Sequence, residues 1–168
     1  MSDAIVNKVA ESGLITVDLE VFYPKQDIVI FDLKEYLFMG LILKEKDFRQ
    51  ALSELDWETY RDQFVSIYCS ADAIIPMWAY MLVSTGLSSV NAQVYYGKEE
   101  EVRRELFLQN INALDPESFR DKRVVVKGCG DVPIGEFAYV RITAMLAPVV
   151  RSLMYGEPCS TVPVFKRK

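Results

Sequence analysis

The residues of this chain that could do chemistry are three cysteines, and it contains no histidine among its 168 residues. Each cysteine lies in a short polar break beside an apolar segment: I-Y-C-S-A-D around Cys69, K-G-C-G-D around Cys129, and G-E-P-C-S-T-V-P around Cys159. Thiolates are nucleophiles and soft metal ligands. Because the commonest general base and nitrogen ligand is missing, we expect any site to be built from thiolates and carboxylates.

Two aspartates accompany these thiols. Asp72 closely follows Cys69 in the sequence, and Asp131 closely follows Cys129. If the three thiols converge, their chemistry favours zinc or an iron–sulfur cluster, with Asp72 or Asp131 as a further ligand. No pair shows the C-x₂-C spacing of zinc ribbons or ferredoxins. Both aspartates also stand where a helix N-cap belongs, and capping is the favoured competing interpretation.

Cys129 is the strongest single candidate, because Gly128 and Gly130 flank it with bare backbone that a ligand can approach closely. Cys69 ends a predicted strand and fits a small buried core residue equally well. The G-x-G at 128–130 lacks the third glycine of a dinucleotide fingerprint, so we expect no nucleotide.

Composition excludes several classes of function. The net charge of −5 comes without a basic stripe, which argues against nucleic acid as a partner. The longest uncharged apolar run, residues 73–83, contains Pro76 and is too short to span a membrane. The first residues lack the pattern of a secretory signal. We therefore expect a cytoplasmic protein with reduced thiols, folded as a single domain over residues 1–168.

The hydrophobic periodicity predicts an α/β fold. The predicted helices cover residues 2–13, 47–55, 72–84, 98–112 and 135–155. The predicted strands cover residues 15–21, 28–31, 37–43, 64–69, 93–96 and 123–127, and the segment 37–43 is also compatible with a turn of buried helix. Three strand–helix units in series favour one mainly parallel sheet covered by helices, preceded by an N-terminal helix and short strands. Ligands of such sheets bind at the carboxyl ends of the strands, where both Cys–Asp pairs fall.

The chain also contains an internal repeat. Residues 64–87 align with residues 123–146 without a gap, pairing Asp72 with Asp131 and Tyr80 with Tyr139. Two strand–helix units share apolar spacing in any case, so the repeat is consistent with a duplication or with common periodicity alone.

Several longer motifs carry a resemblance to a known family. They are V-V-V-K-G-C at residues 124–129, M-Y-G-E-P-C-S-T-V-P at 154–163, C-S-A-D-A-I-I-P at 69–76 and G-L-I-L-K-E-K-D-F-R at 40–49. In these motifs the chain resembles a small uncharacterised bacterial family, a domain of unknown function, over nearly its whole length. The resemblance implies no activity, and it implies iron–sulfur assembly components as protein partners.

Three hypotheses follow from the sequence. The first is an accessory protein, not an enzyme, that binds zinc or an iron–sulfur cluster through Cys69, Cys129 and Cys159 with Asp72 or Asp131. The second is an interaction or scaffold protein whose reduced cysteines are structural. The third is a thiol or redox enzyme that uses Cys129, which has the least support because no histidine is present to activate the thiol.

Overall fold

The structure, a computed structural model, describes residues 6–9, 13–128, 130–157 and 159–168. It confirms the α/β class and the largely parallel strands. The strands are β1 (Val6–Val9), β2 (Leu14–Asp18), β3 (Ile28–Asp32), β4 (Phe64–Tyr68), β5 (Gln93–Tyr96), β6 (Arg123–Lys127), β7 (Ser152–Glu157) and β8 (Ser160–Lys166). The α-helices are α1 (Glu45–Glu54), α2 (Met77–Ser89), α3 (Glu99–Asn112) and α4 (Glu136–Leu146). Within the described part of the chain, no helix has the length and apolar character needed to cross a membrane.

The chain divides into two compact units with separate sheets. Unit 1 comprises Met1–Pro24 and Glu105–Lys168, and unit 2 comprises Lys25–Arg104. The sheet of unit 1 has the order β1-β2-β6-β7-β8, in which β2, β6 and β7 are parallel and the two outer strands are antiparallel to their neighbours. The sheet of unit 2 has the order β3-β4-β5 and is entirely parallel. The sequence predicted one sheet, and the strands form two.

Each unit has its own apolar core. Val17 and Leu153 lie in the core of unit 1, and Phe48 and Val65 lie in the core of unit 2. None of the four is more than 1% exposed. The central strands β4 and β6 each bury three consecutive residues, as expected for parallel strands covered on both faces. That one domain spans residues 1–168 stays a prediction.

The internal repeat is structural as well as sequential. Strands β4 and β6 begin at aligned residues, Phe64 and Arg123, and helices α2 and α4 also begin at aligned residues. The pairing register repeats too, because Phe64 lies opposite Gln93 and Arg123 lies opposite Ser152. The first parallel strands of the two units, β2 and β3, follow one another directly along the chain. We call the part that the repeat relates, a parallel strand pair followed by a helix and a further parallel strand, the shared module. Unit 2 is therefore inserted in the sequence of unit 1 after the first strand of the shared module.

Two predicted N-terminal elements are wrong. Val6–Val9 forms a strand antiparallel to β2 where a helix was predicted, because pairing along an edge outweighs the helical spacing of β-branched residues. The rest of that predicted helix, apart from Gly13, lies outside the described residues. The predicted strand at 37–43 is a tight turn closed by a Phe38–Ile42 bridge. Met39 and Gly40 both have positive φ angles there, as in the primed turns of hairpins.

The predicted helix at 135–155 is also wrong in its second half. Helix α4 ends at Leu146, and Tyr155 lies in β7. Pro148 cannot donate the helical hydrogen bond and its ring clashes with the preceding turn, so it ends the helix. The chain then returns as β7 and turns into β8, which the sequence did not predict.

Helix α2 packs against Trp57 at a glycine, and this contact predicts an unusual effect of alanine. A Cβ at Gly86 would lie 2.6 Å from Cε2 of Trp57. Alanine normally stabilises a helix by about 1 kcal/mol relative to glycine, but overpacking costs about 1–3 kcal/mol. We expect Gly86→Ala to lower the free energy of unfolding by up to about 2 kcal/mol, measured by urea denaturation.

The control for that prediction is the same change without the indole. In a Trp57→Ala background, Gly86→Ala should raise stability by up to about 1 kcal/mol. The internal repeat supports this interpretation, since the corresponding positions of unit 1 hold a small residue opposite a large one, Pro116 and Met145. An identical effect of Gly86→Ala in both backgrounds would show that contact with Trp57 does not limit this position.

Candidate functional site at the carboxyl edge of unit 1

The structure assigns the predicted cysteines to different units. Cys69 follows β4 in unit 2, where it is half-buried against the apolar core and its thiol donates to the carbonyl oxygen of Ala71 at 3.6 Å. Cys159 is exposed and lies between β7 and β8 in unit 1. Cys129, also in unit 1, lies outside the described residues. The strands that precede Cys69 and Cys129 belong to separate sheets, so the expectation of one shared sheet edge is wrong.

The prediction that Asp72 and Asp131 cap helices is wrong. Both are exposed, and each lies more than a helical turn before the first residue of its helix, Met77 or Glu136. The N-cap positions are held by a proline and a glycine, with no side-chain cap hydrogen bond. Proline favours this boundary because its fixed φ starts a helix without needing a donor. Whether these aspartates and the three cysteines are metal ligands stays a prediction.

In unit 2, the carboxyl edge of the sheet is closed by its own hydrogen bonds. Asp32, at the end of β3, accepts hydrogen bonds from the backbone and the hydroxyl of Ser70, at 3.0 and 2.5 Å, and from the backbone of Lys34 at 3.0 Å. Burial raises the pKa of Asp32, but these hydrogen bonds outweigh it and hold the pKa below its ordinary value. The carboxylate of Asp32 is therefore already hydrogen-bonded to the loop that follows β4.

In unit 1, the same edge is built from charged side chains. Asp18, Lys127 and Glu157 are the last residues of the neighbouring strands β2, β6 and β7. The Lys127 ammonium lies 3.6 Å from Asp18 Oδ2 and 3.7 Å from Glu157 Oε1. Parallel pairing of the three strands brings their carboxyl ends to one edge, the usual ligand position in α/β proteins.

The two carboxylates keep Lys127 charged. The negative charge of Asp18, followed by that of Glu157, raises the pKa of Lys127 above its ordinary value. Lys127 is thus an ammonium at neutral pH rather than a nucleophile or a general base. Lys127 therefore does not act as a neutral lysine base at this edge.

A third carboxylate beside this edge has an unsatisfied oxygen. The backbone N–H of Glu20 donates to Asp18 at 3.0 Å, and Oε1 of Glu20 is buried without a hydrogen-bond partner among the described residues. The carboxylate lies against Gly130, where a Cβ would come within 2.6 Å of its Oε2. A buried carboxylate oxygen without a donor is costly, which makes it a natural contact for a cation.

The described residues do not by themselves form a complete metal centre. Among them, no group of three cysteine, aspartate or glutamate side chains lies close enough to hold one ion. Cys129, which follows Gly128 in sequence, was outside that set. The described part of the edge supplies the carboxylates beside Lys127, and Cys159 lies in the turn that follows β7, so a complete centre would require Cys129 as well.

Asp18, Glu20 and Glu157 were not among the site residues predicted from the sequence. Asp18 and Glu20 fall inside the predicted strand at 15–21, and Glu157 follows the predicted helix at 135–155, which in fact ends at Leu146. A usable signal did exist: an apolar strand that ends in aspartate occurs twice in the first part of the chain, at Asp18 and Asp32. This sequence signal is short, and only the strand pairing shows that Asp18 and Lys127 are neighbours.

No curated protein and no solved structure matches this chain significantly. A family model does match, over residues 3–167, and its description is "Protein of unknown function (DUF2480)". The match covers all of the described elements, so both units lie within one family domain model. The chain belongs to this family of unknown function.

Proposed function

We propose that the protein is an accessory protein that binds zinc or an iron–sulfur cluster at the carboxyl edge of unit 1. The thiolates of Cys129 and Cys159 would be the soft ligands, and Glu20 or Asp131 would supply an oxygen. The buried, unpartnered Oε1 of Glu20 is the observation that carries the proposal, because a cation would satisfy it.

The charge and donor chemistry of the edge support a cation. The carboxylates of Asp18 and Glu157 lie on either side of the ammonium of Lys127, and the carboxylate of Glu20 lies against Gly130. Zinc accepts mixed sulfur and oxygen ligands, and iron–sulfur clusters are held mainly by thiolates. The proposed ligands are restricted to unit 1, so that all of them belong to one compact unit. Cys69 and Asp72 are left out because they belong to unit 2.

The wider assignment is part of the same proposal. The protein would be of bacterial origin and cytoplasmic. In the cytoplasm thiols stay reduced and available for metal. It would serve as a carrier or assembly factor rather than as an enzyme, with iron–sulfur assembly components as protein partners. The sequence contains no histidine, which supports a non-catalytic role, since no imidazole is there to activate a thiol.

The test is elemental analysis and a visible spectrum of protein purified without oxygen. Near-stoichiometric zinc without colour is expected for a zinc site. A brown protein that absorbs at about 400 nm is expected for an iron–sulfur cluster. A folded protein that neither retains nor takes up either metal would refute the proposal.

Lys127 gives a directional test. Because its ammonium repels a cation, Lys127→Gln should strengthen zinc binding about fivefold, corresponding to about 1 kcal/mol for unit charges near 4 Å in water. Competition with a chromophoric chelator measures the change. The control Lys122→Gln alters net charge equally, outside the described cluster, and should leave affinity unchanged. Equal affinities for wild type and Lys127→Gln would place the ion away from this edge.

A second candidate function is an interaction protein with structural cysteines. A group of exposed apolar side chains in unit 2 favours this candidate. Ile74, Met77 and Met81 are 94%, 71% and 69% exposed. Met77 and Met81 are one helical turn apart on α2, and exposed methionines are common at binding surfaces. Unit 1 has Glu136 at the position of Met77, so the shared module does not require an apolar residue there. The half-buried Cys69 also fits this candidate.

A further inference from the structure

Unit 1 contains an apolar cavity whose lining includes none of the charged residues Asp18, Lys127 and Glu157. It has a volume of about 380 Å³ and lies between α4 and the strands β6, β7 and β8. This volume is at the small end of the range of about 300–1,000 Å³ typical of ligand pockets. We propose that the cavity is a binding site for a small, neutral, mainly aromatic molecule.

A β-bulge shapes the open wall of the cavity. On β7, Leu153 lies opposite Phe165 and Met154 lies opposite Pro163, so Val164 is the extra residue between the two pairs. Bulges redirect side chains and occur often beside binding sites. Here the bulged Val164 lines the cavity. The irregularity of β8 therefore falls at the wall of the pocket.

The lining determines the class of ligand. Tyr139 and Tyr155 meet edge to face with ring centroids 5.7 Å apart, and Met154 is among the residues that line the cavity. Edge-to-face tyrosines are favourable surroundings for another aromatic ring. Among the described residues that line the cavity, none has a charged side chain, so burying an ionic group there would be costly. The hydroxyl of Thr143 can bond one polar group of the ligand.

Access and the internal repeat both support a ligand site specific to unit 1. Tyr155 is 43% exposed and Val164 is 55% exposed, so the cavity opens to solvent. Unit 2 repeats the tyrosine pair as Tyr80 and Tyr96, with centroids 5.6 Å apart. Its sheet ends at β5 in the described structure, without a counterpart of β8. The added strand of unit 1 supplies the wall that the shared module lacks.

The experiment uses two fluorescent compounds that differ in charge. N-Phenyl-1-naphthylamine is neutral, and 8-anilinonaphthalene-1-sulfonate has the same ring system with an added sulfonate. We expect saturable binding of the neutral compound, with at least tenfold weaker binding of the sulfonate, corresponding to about 1.4 kcal/mol. Failure of the neutral compound to bind saturably would overturn the proposal, and equal or tighter binding of the sulfonate would overturn the neutral class.

Matched variants locate the binding. Val164→Trp should fill the opening and weaken binding of the neutral compound about tenfold or more, whereas Val140→Trp, at an exposed valine of α4 outside the lining, should not change it. Thr143→Met fills the opposite wall and should act like Val164→Trp, and thermal unfolding checks that each variant is folded. Unchanged binding in both cavity variants, or an equal loss in Val140→Trp, would place the compound elsewhere.

Discussion

Replacing Cys129 or Cys159 with serine should remove nearly all bound metal from the protein. Structural zinc sites bind with about 10–16 kcal/mol over four ligands, so loss of one thiolate costs roughly 3 kcal/mol, about a hundredfold in affinity. Serine keeps the shape of the side chain but offers a hydroxyl that does not ionise at neutral pH. Metal content after anaerobic purification, with zinc affinity by chelator competition, measures the loss.

The matched control is Cys69→Ser, which changes the same residue type in unit 2. Its thiol is half-buried and donates to Ala71, a hydrogen bond that a hydroxyl can also make. This variant should retain the metal content and zinc affinity of the wild type. If it lost metal as completely as Cys129→Ser, the ligands would come from both units, as the three-cysteine hypothesis states.

Phe107→Ala and Phe48→Ala should each cost about 3–5 kcal/mol of folding free energy, as is usual for buried phenylalanines. Extending the alignment of the internal repeat towards the N-terminus pairs these two residues, which lie in the cores of unit 1 and unit 2. They are 2% and 1% exposed. The cost arises because truncation of either ring leaves a cavity in the core of its own unit. Urea denaturation measures this cost.

Hydrogen exchange then shows where each loss acts. If the units open separately, Phe107→Ala should lower protection mainly in β6 and β7, and Phe48→Ala mainly in β3 and β4. Equal loss of protection in both sheets for either variant would show a single cooperative domain, as the composition and length of the chain suggested. A cost below about 1 kcal/mol would contradict the assignment of these rings to the cores.

Local pattern was enough to predict the strand–helix units but not their assembly. Strands β4 and β6 each bury three consecutive residues, 65–67 and 124–126, and the internal repeat that relates the two strands persists in the pairing register. The division into two sheets could not be predicted in this way, because it depends on which distant strands pair. The apolar spacing of β4 and β6 is equally compatible with one sheet or two.

The errors near the candidate site have local causes. Residues 149–155 are mostly apolar and closely follow α4, so the predicted helix was extended through Pro148 to residue 155, and Glu157 fell just beyond it. Asp72 and Asp131 are good capping residues, but each lies too far before its helix, and a proline or a glycine takes the cap position. The chemistry of the cysteines could be recognised from residue type, whereas the role of Glu20 depends on burial.

X-ray absorption at the zinc edge of the zinc-loaded wild-type protein tests the central claim most directly. A site made of Cys129, Cys159 and the carboxylates of the unit 1 edge predicts two sulfur ligands at about 2.3 Å and oxygen ligands at about 2.0–2.2 Å. Three sulfur ligands would bring Cys69 into the site and contradict its restriction to unit 1. A shell without sulfur would contradict the thiolate site altogether.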